Sequence, residues 1–343
     1  MKRKFSYFIL LLAAWMISAS AAGEEFTKKF NQSWPAAGVE TLSISNKFGE
    51  VKVNNDGGST ITIEVVVTAE GSEKKAKEIL DDISVSFGKE GNTATAVTKI
   101  EEGFRSNGHF SIDYTVNVPA EKNLVIRNKY GNTVLNKVTG TGNFDIAYGN
   151  LSANSLTGSS TKLELAYGKA DVQSLSAAEV IIAYSKLFLG TGTSIKLDSK
   201  YSGFNVEKME DLWINSKYDN FSIGEINKLE GAGKYTSFKI ARLNKKLKLD
   251  SGYGSVKVDM IPSGFDQLEV RSSYAQVSLG IEDNAGYEVE AKCSYCEISY
   301  PQDKFKGNRI KENTSQSISG KIASGAPGKV SVVSQYGNIK LIK

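Results

Sequence analysis

Near the middle of the chain one phrase is written three times: SKYSGFNVEKM at 199–209, SKYDNFSIGEI at 216–226 and GKYTSFKIARL at 233–243. The copies begin 17 residues apart. A fixed period of this kind means stacked structural units, each burying its neighbour's open face. Aligned on its aromatic residue, the phrase runs along most of the sequence. Tyr130, Tyr148, Tyr167, Tyr184, Tyr201, Tyr218, Tyr235, Tyr253, Tyr274, Tyr295 and Tyr336 hold the position, with Phe48 as an early outlier. The spacing is 17 to 19 residues as far as Tyr253 and then lengthens to 21. The final gap of 41 residues is expected to hold two coils, one of them without its tyrosine.

The pattern inside each unit decides what is stacked. Apolar residues lie three and five positions after the tyrosine, as in Phe204 and Val206, Phe221 and Ile223, or Val256 and Val258. They recur six and four positions before it, as in Leu212 and Ile214 or Leu247 and Leu249. That is period two, the signature of strands with one buried face, and no unit sustains helical spacing. A propeller blade needs about 40 residues for its four strands. The repeat therefore predicts an all-β chain: a parallel β-helix, or solenoid, of about 17–21 residues per coil. The tyrosines share the parity of the inward residues, which favours burial. They are expected to form a ladder of rings stacked coil on coil at a corner, with the hydroxyls reaching water. An exposed aromatic stripe that stacks on sugar rings is the alternative. Gly131, Gly149, Gly168, Gly254 and Gly337 follow the tyrosine and are expected to supply positive φ in a turn. Small residues two before it, such as Ser199, Ser216, Gly233 and Cys293, suit an inside corner.

The two ends of the sequence read differently. Lys2, Arg3 and Lys4, then an apolar run from Phe8 to Met16, then Ala19-Ser20-Ala21, describe a secretory signal peptide over residues 1–21. Without its three positive charges the formal net charge falls from +4 to +1. A near-neutral protein has no global field to draw it to nucleic acid, so no nucleic-acid partner is expected. No later segment is long and apolar enough to span a bilayer, so no transmembrane segment is expected in the mature chain. The expected destination is across the inner membrane: periplasmic, outer-membrane-associated or extracellular. Residues 22–120 read as a β-rich cap and first coils, with strands at 59–70, 83–89, 92–100 and 110–120 and one short helix over 72–83 capped by Ser72. Residues 121–343 read as the solenoid with the tyrosine ladder.

Three stretches carry a resemblance. TLSISNKFGEVKV (41–53), IDYTVNVPAEKNLVIRNKYGNTVL (112–135) and GKVSVVSQYGNIKLIK (328–343) resemble the bacterial "putative adhesin" domains of unknown function found in secreted proteins of Bacteroidetes-type organisms. The resemblance implies a right-handed, single-stranded β-helix outside the cytoplasm. It implies no catalytic residues.

Little in the sequence points to chemistry. His109, in RSNGHFSID, is the sole histidine and sits among turn residues, so it reads as a solvated loop residue. Phosphate-binding glycine motifs and zinc-protease motifs are absent, and no cofactor or metal site is expected. Cys293 and Cys296 form a C-x-x-C in a strand and turn, away from any helix start. A local disulfide, two thiols, and a redox or metal pair are all open there. Lys200, Lys217 and Lys234 precede their tyrosines and point outward, one above another, and Lys129 holds the same slot. Either Asp198, Asp219 and Glu207 screen them, or they form an anion-binding ridge for acidic polysaccharide or lipopolysaccharide. Carboxylates do not recur in register as a glycosidase site would need. The expected function is a secreted, non-enzymatic, adhesin-like interaction module for surface glycans or envelope proteins. A carbohydrate-active enzyme on the same scaffold and a purely structural envelope protein are the alternatives.

Overall fold

A computed structural model describes residues 24–55, 58–105, 108–323 and 328–342. The signal-peptide stretch over 1–21 lies outside the described residues. The chain divides into two compact units, Met1–Ser152 and Ala153–Lys343. Both are built from strands in parallel coils, a β-solenoid, and the described residues contain one α-helix, Glu73–Asp81.

In the first unit the coil nearest the N-terminus is Thr41–Lys47 and Val51–Asn54, turning at Phe48. Alternation buries Leu42, Ile44, Val51 and Val53. One edge of this coil pairs in parallel with Asn123–Lys129 and Thr133–Val138, in the register Thr41↔Asn123 and Val51↔Thr133. The other edge is covered, also in parallel, by Thr93–Ile100 and Phe110–Asn117. Residues later in sequence thus form the outer layer, and the first coil lies one layer in. Antiparallel strands finish the unit: Thr60–Glu70 on Phe110–Asn117, Glu25–Pro35 on Thr60–Glu70, and Ile83–Glu90 on Thr93–Ile100. This finish keeps long parallel edges from being left open. The helix turns Ala76, Ile79 and Leu80 inward. Ser72 stands at its N-cap, but its side chain makes no capping bond, contrary to the sequence reading; the contact is the Ala76 N–H to the Ser72 carbonyl at 2.9 Å. At the other end the Lys28 ammonium donates to the Leu80 carbonyl at 2.8 Å and to the Ile83 carbonyl at 3.0 Å. A cation there suits the negative end of the helix dipole.

The second unit shows the repeat at its most regular. Lys169–Ala183, Lys186–Lys200, Gly203–Lys217, Asn220–Lys234 and Ser237–Gly252 pair in sequence order, Lys169↔Lys186, Lys186↔Gly203, Gly203↔Asn220 and Asn220↔Ser237. Like side chains therefore stack in columns. One runs Leu187, Phe204, Phe221, Phe238, Val256 and Val277, every member buried. The three phenylalanine rings lie 5.6 and 5.0 Å apart, centroid to centroid. Each fully buried ring contributes on the order of 1.5–3 kcal/mol of transfer free energy. The change of period from 17 to 18 is absorbed as a register shift between Ile226 and Lys228.

The closing end of this unit corrects the reading of the 41-residue gap. The gap does not hold two successive coils. Phe305–Lys311 and Ser315–Ile322 form an antiparallel pair, and the second of them covers Tyr287–Ser294. The chain then returns inward. Gly328–Gln335 inserts between Gln267–Ser273 and Tyr287–Ser294, parallel to both, with Val330 facing Leu268 on one side and Val289 on the other. Ile339–Lys340 likewise lies between Gln276–Ile281 and Ile298–Ser299. The last coil in sequence is thus one layer in from the last in space. Antiparallel strands again take the outer edge.

Candidate functional site: the tyrosine corner

The corner is set by the backbone. At Phe48 and at all eleven repeat tyrosines φ lies between 51° and 62°, in the left-handed region. That conformation costs a residue with a side chain about 1–2 kcal/mol, which glycine avoids. The glycines after the tyrosines are not the left-handed residues, so the expectation that they supply positive φ is corrected. Four of them are needed because there is no room. A Cβ on Gly131 would collide with the carbonyl oxygen of Gly49, on Gly149 with that of Gly131, on Gly254 with that of Thr236, and on Gly337 with that of Ala275.

Left-handed geometry also overturns the expectation of burial. Parity arguments hold only while the backbone is extended. Residues two before and three after the tyrosine, such as Ser216 and Phe221, both point inward, yet they are five apart. An odd interval cannot be bridged by uninterrupted alternation, so parity breaks at the tyrosine itself. That odd interval was the available signal in the sequence. The tyrosines stand out from the corner, 39–58% exposed.

The rings stack. In the first unit Phe48 to Tyr130 is 5.1 Å and Tyr130 to Tyr148 is 5.0 Å between centroids. In the second unit Tyr167, Tyr184, Tyr201 and Tyr218 follow at 5.0, 4.9 and 4.8 Å. Tyr235, Tyr253 and Tyr274 continue at 4.8, 4.9 and 4.8 Å. Tyr336 comes next, at 4.7 Å from Tyr274, and Tyr295 follows at 4.9 Å, which mirrors the inserted last coil. Interplanar angles in these pairs run from 0° to 14°. Each such contact contributes about 0.5–1.5 kcal/mol, close to the backbone cost at each corner. Ring faces are covered by neighbouring rings, so the ladder offers edges and hydroxyls to solvent. A sugar ring has no free face to lie on between two stacked members, which removes the stacking-platform alternative there.

Inside the corner a second pattern repeats. The side chain two before the tyrosine reaches the residue one after it. Asn46 donates to the Gly49 carbonyl at 3.3 Å, Ser216 to Asp219 Oδ2 at 2.7 Å, Ser272 to the Ala275 carbonyl and Ser334 to the Gly337 carbonyl. Cys293 and Cys296 hold the same two slots and are joined by a disulfide. Asp219 is buried and does not screen the outward lysines as the sequence reading allowed. Its carboxylate accepts from the Ser202 N–H at 2.6 Å, the Ser216 hydroxyl at 2.7 Å and the Lys217 N–H at 3.0 Å. Asp198, on the outer face, accepts from Asn215 Nδ2 at 2.8 Å.

Lys200, Lys217 and Lys234 are exposed and in register along one flank of the ladder. The ammonium groups of Lys200 and Lys217 each lie 5.5 Å from the ring centroid of the adjoining tyrosine. On the opposite flank runs an open groove of about 930 Å³. Tyr184, Tyr201 and Tyr218 border it, with Gly203, Lys186 and Lys239 among its other lining residues.

The remaining candidates stand apart. His109 is exposed, and its carbonyl accepts the Glu70 N–H at 2.9 Å. No group of three or more metal-ligating side chains occurs among the described residues. Two tyrosines outside the ladder are buried. Burial pushes the Tyr114 hydroxyl up to about 12, opposed in part by its bond to Thr98, and pushes Tyr287 higher still. No helix among the described residues is long and apolar enough to cross a membrane.

The sequence pattern of the Toastrack DUF4097 family matches residues 35–342. No curated protein matches the chain. Among solved structures it is similar to a "putative cell adhesion protein" from Clostridium sporogenes ATCC 15579, at 11% identity over 92% of this chain and 98% of that one, with a TM-score of 0.20. It is similar to a "putative adhesin" from Parabacteroides distasonis ATCC 8503, at 11% identity over 74% and 93%, with a TM-score of 0.35. A "Putative lipid binding protein" from the same organism shares 12% identity over 92% and 97%, with a TM-score of 0.27. Likeness at this level carries no functional argument.

Proposed function

We propose, from the premise that the chain belongs to the Toastrack DUF4097 family, that it is a non-enzymatic interaction module whose contact surface is the tyrosine ladder and its flanks. In this reading residues 1–21 are a cleaved signal peptide, residues 22–120 the cap, and residues 121–343 the solenoid that presents the ladder. The protein works beyond the inner membrane, in the periplasm or at the cell surface, in an adhesin-like role toward glycans or envelope proteins. Lys200, Lys217 and Lys234 form the ridge that favours anionic partners.

One observation carries this reading. A half-exposed tyrosine occupies the left-handed position at eleven corners, and Phe48 holds it at one more, where glycine would meet the backbone's demand at lower cost. Ring stacking offsets that cost but does not need a hydroxyl, since Phe48 stacks on Tyr130 as the tyrosines stack on each other, so a row of tyrosine edges and hydroxyls turned to solvent points to a role beyond folding. The alternation of the coils would be the same without them.

The test is binding of purified protein to envelope fractions of its native cells, alongside a turnover screen on polysaccharides. The expected result is saturable binding without product formation. Charge reversal of Lys200, Lys217 and Lys234 together should weaken binding, and the loss should shrink as salt is raised. Product release from a polysaccharide, or binding that ignores both the lysines and the tyrosines, would overturn the reading.

A further inference from the structure

We infer that the groove beside Tyr184, Tyr201 and Tyr218 seats a linear, carboxylate-bearing polysaccharide lying along the direction in which the coils stack. This rests on the reading of the ladder as a contact surface and adds a ligand class and a seat.

Three features define the ligand. The first is repetition. The bordering rings present the same edge and hydroxyl every 4.9 and then 4.8 Å. A wall that repeats in one direction is matched by a polymer that repeats in the same direction, whereas a small molecule meets only one or two members. The second is polarity. Asn205, Asn220 and Ser222 line the groove between the lysines, offering amide and hydroxyl groups. These suit a hydroxyl-rich chain, with bonds to ring hydroxyls taking the place of bonds to water. The third is charge. The lining contains Lys169, Lys186 and Lys239 and neither aspartate nor glutamate. Lys169 shares its charge with Asp171 at 3.7 Å and lies over the Phe188 ring at 4.6 Å. Lys186 and Lys239 are exposed and lie three coils apart, roughly 14 Å at the spacing of paired strands. Cations this far apart, with neutral polar groups between, fit a polymer carrying spaced carboxylates.

Gly203 makes the seat. It lies in the stretch between the two lysines, and a Cβ placed there would meet only Lys186 Cγ, at 3.7 Å. Its φ is not left-handed, so a side chain is free of backbone strain. The floor is open at this point because the side chain is missing, with no close backbone approach to require it.

Gly203→Leu therefore fills the seat without changing charge or straining the fold. The assay is titration of the purified full chain with polygalacturonate, and with fully methyl-esterified pectin as the uncharged polymer of the same backbone. The unchanged chain should bind polygalacturonate and not the ester. Gly203→Leu should keep or slightly raise its urea midpoint and lose about tenfold in affinity, and a Lys186→Glu/Lys239→Glu pair should lose about as much. Equal binding of the two polymers would overturn the assignment of carboxylates. Binding of polygalacturonate untouched by Gly203→Leu would overturn the groove while leaving the lysine ridge standing. If the chain ignores polygalacturonate yet still binds native envelope fractions, the ligand class is wrong and the contact surface survives. If it binds neither, both fall.

Discussion

Alanine at Gly254 and alanine at Gly203 should move the stability of the second unit in opposite directions. Neither glycine is left-handed, so alanine's backbone preferences are not at issue in either place. At Gly254 the new methyl would collide with the Thr236 carbonyl oxygen, and it would lie 2.8 Å from the Thr236 carbonyl carbon and 3.1 Å from its nitrogen. These are backbone atoms of the preceding coil, tied in place by the Ser255 N–H to Thr236 carbonyl bond at 3.3 Å. No rotamer change relieves the overlap, so two coils must separate. Overpacking a well-filled site costs about 1–3 kcal/mol and more when backbone must move, so about 3 kcal/mol is expected here. At Gly203 the methyl meets only the flexible Lys186 Cγ at an ordinary 3.7 Å. Lower entropy of the unfolded chain then stabilises by about 0.4–1 kcal/mol. With a urea m-value of about 3 kcal/mol/M, the midpoint should fall by about 1 M for Gly254→Ala and rise by about 0.1–0.3 M for Gly203→Ala. Urea titration followed by tyrosine fluorescence measures both, and hydrogen exchange should place the damage of Gly254→Ala in the flanking coils. Equal midpoints for the two variants would refute the claim that close coil approach, rather than turn conformation, explains the glycines after the tyrosines.

Two further outcomes follow from buried polar groups. Asp219→Ala strands three donors, from Ser202, Ser216 and Lys217, and should destabilise by about 3–5 kcal/mol, whereas Asp219→Asn keeps an acceptor and should cost about 1–2 kcal/mol; thermal melts showing the same loss for both would sink this account of the carboxylate. Tyr114 holds its proton more tightly folded than unfolded, so its contribution to the first unit is fully present below pH 10 and is lost as the pH rises toward about 12. Tyr114→Phe should be less stable at neutral pH by about 1 kcal/mol through the lost Thr98 bond, and its stability should decline less steeply between pH 10 and 12, as read from alkaline urea titrations.

The repeat and its alternation were enough to determine the solenoid. Phe204, Phe221 and Phe238 announce one buried column, and a displacement of 17 residues brings them into register without any appeal to distant contacts. Local alternation decides such features because a strand's side chains change face at every residue. It could not decide the tyrosines, because the backbone leaves the extended region at that residue and the parity rule lapses with it. Nor could it decide Asp219, an acidic residue in the slot that other coils fill with glycine, alanine, serine, threonine or cysteine. Only the donors gathered around it in the fold make its burial tolerable. The order of the coils was likewise a matter for the tertiary structure. Gly328–Gln335 has the alternation of every other coil strand, so its sequence is compatible with many places in the stack. Its actual place, between Gln267–Ser273 and Tyr287–Ser294, depends on two long-range parallel pairings and on an antiparallel pair that takes the outer edge in its stead.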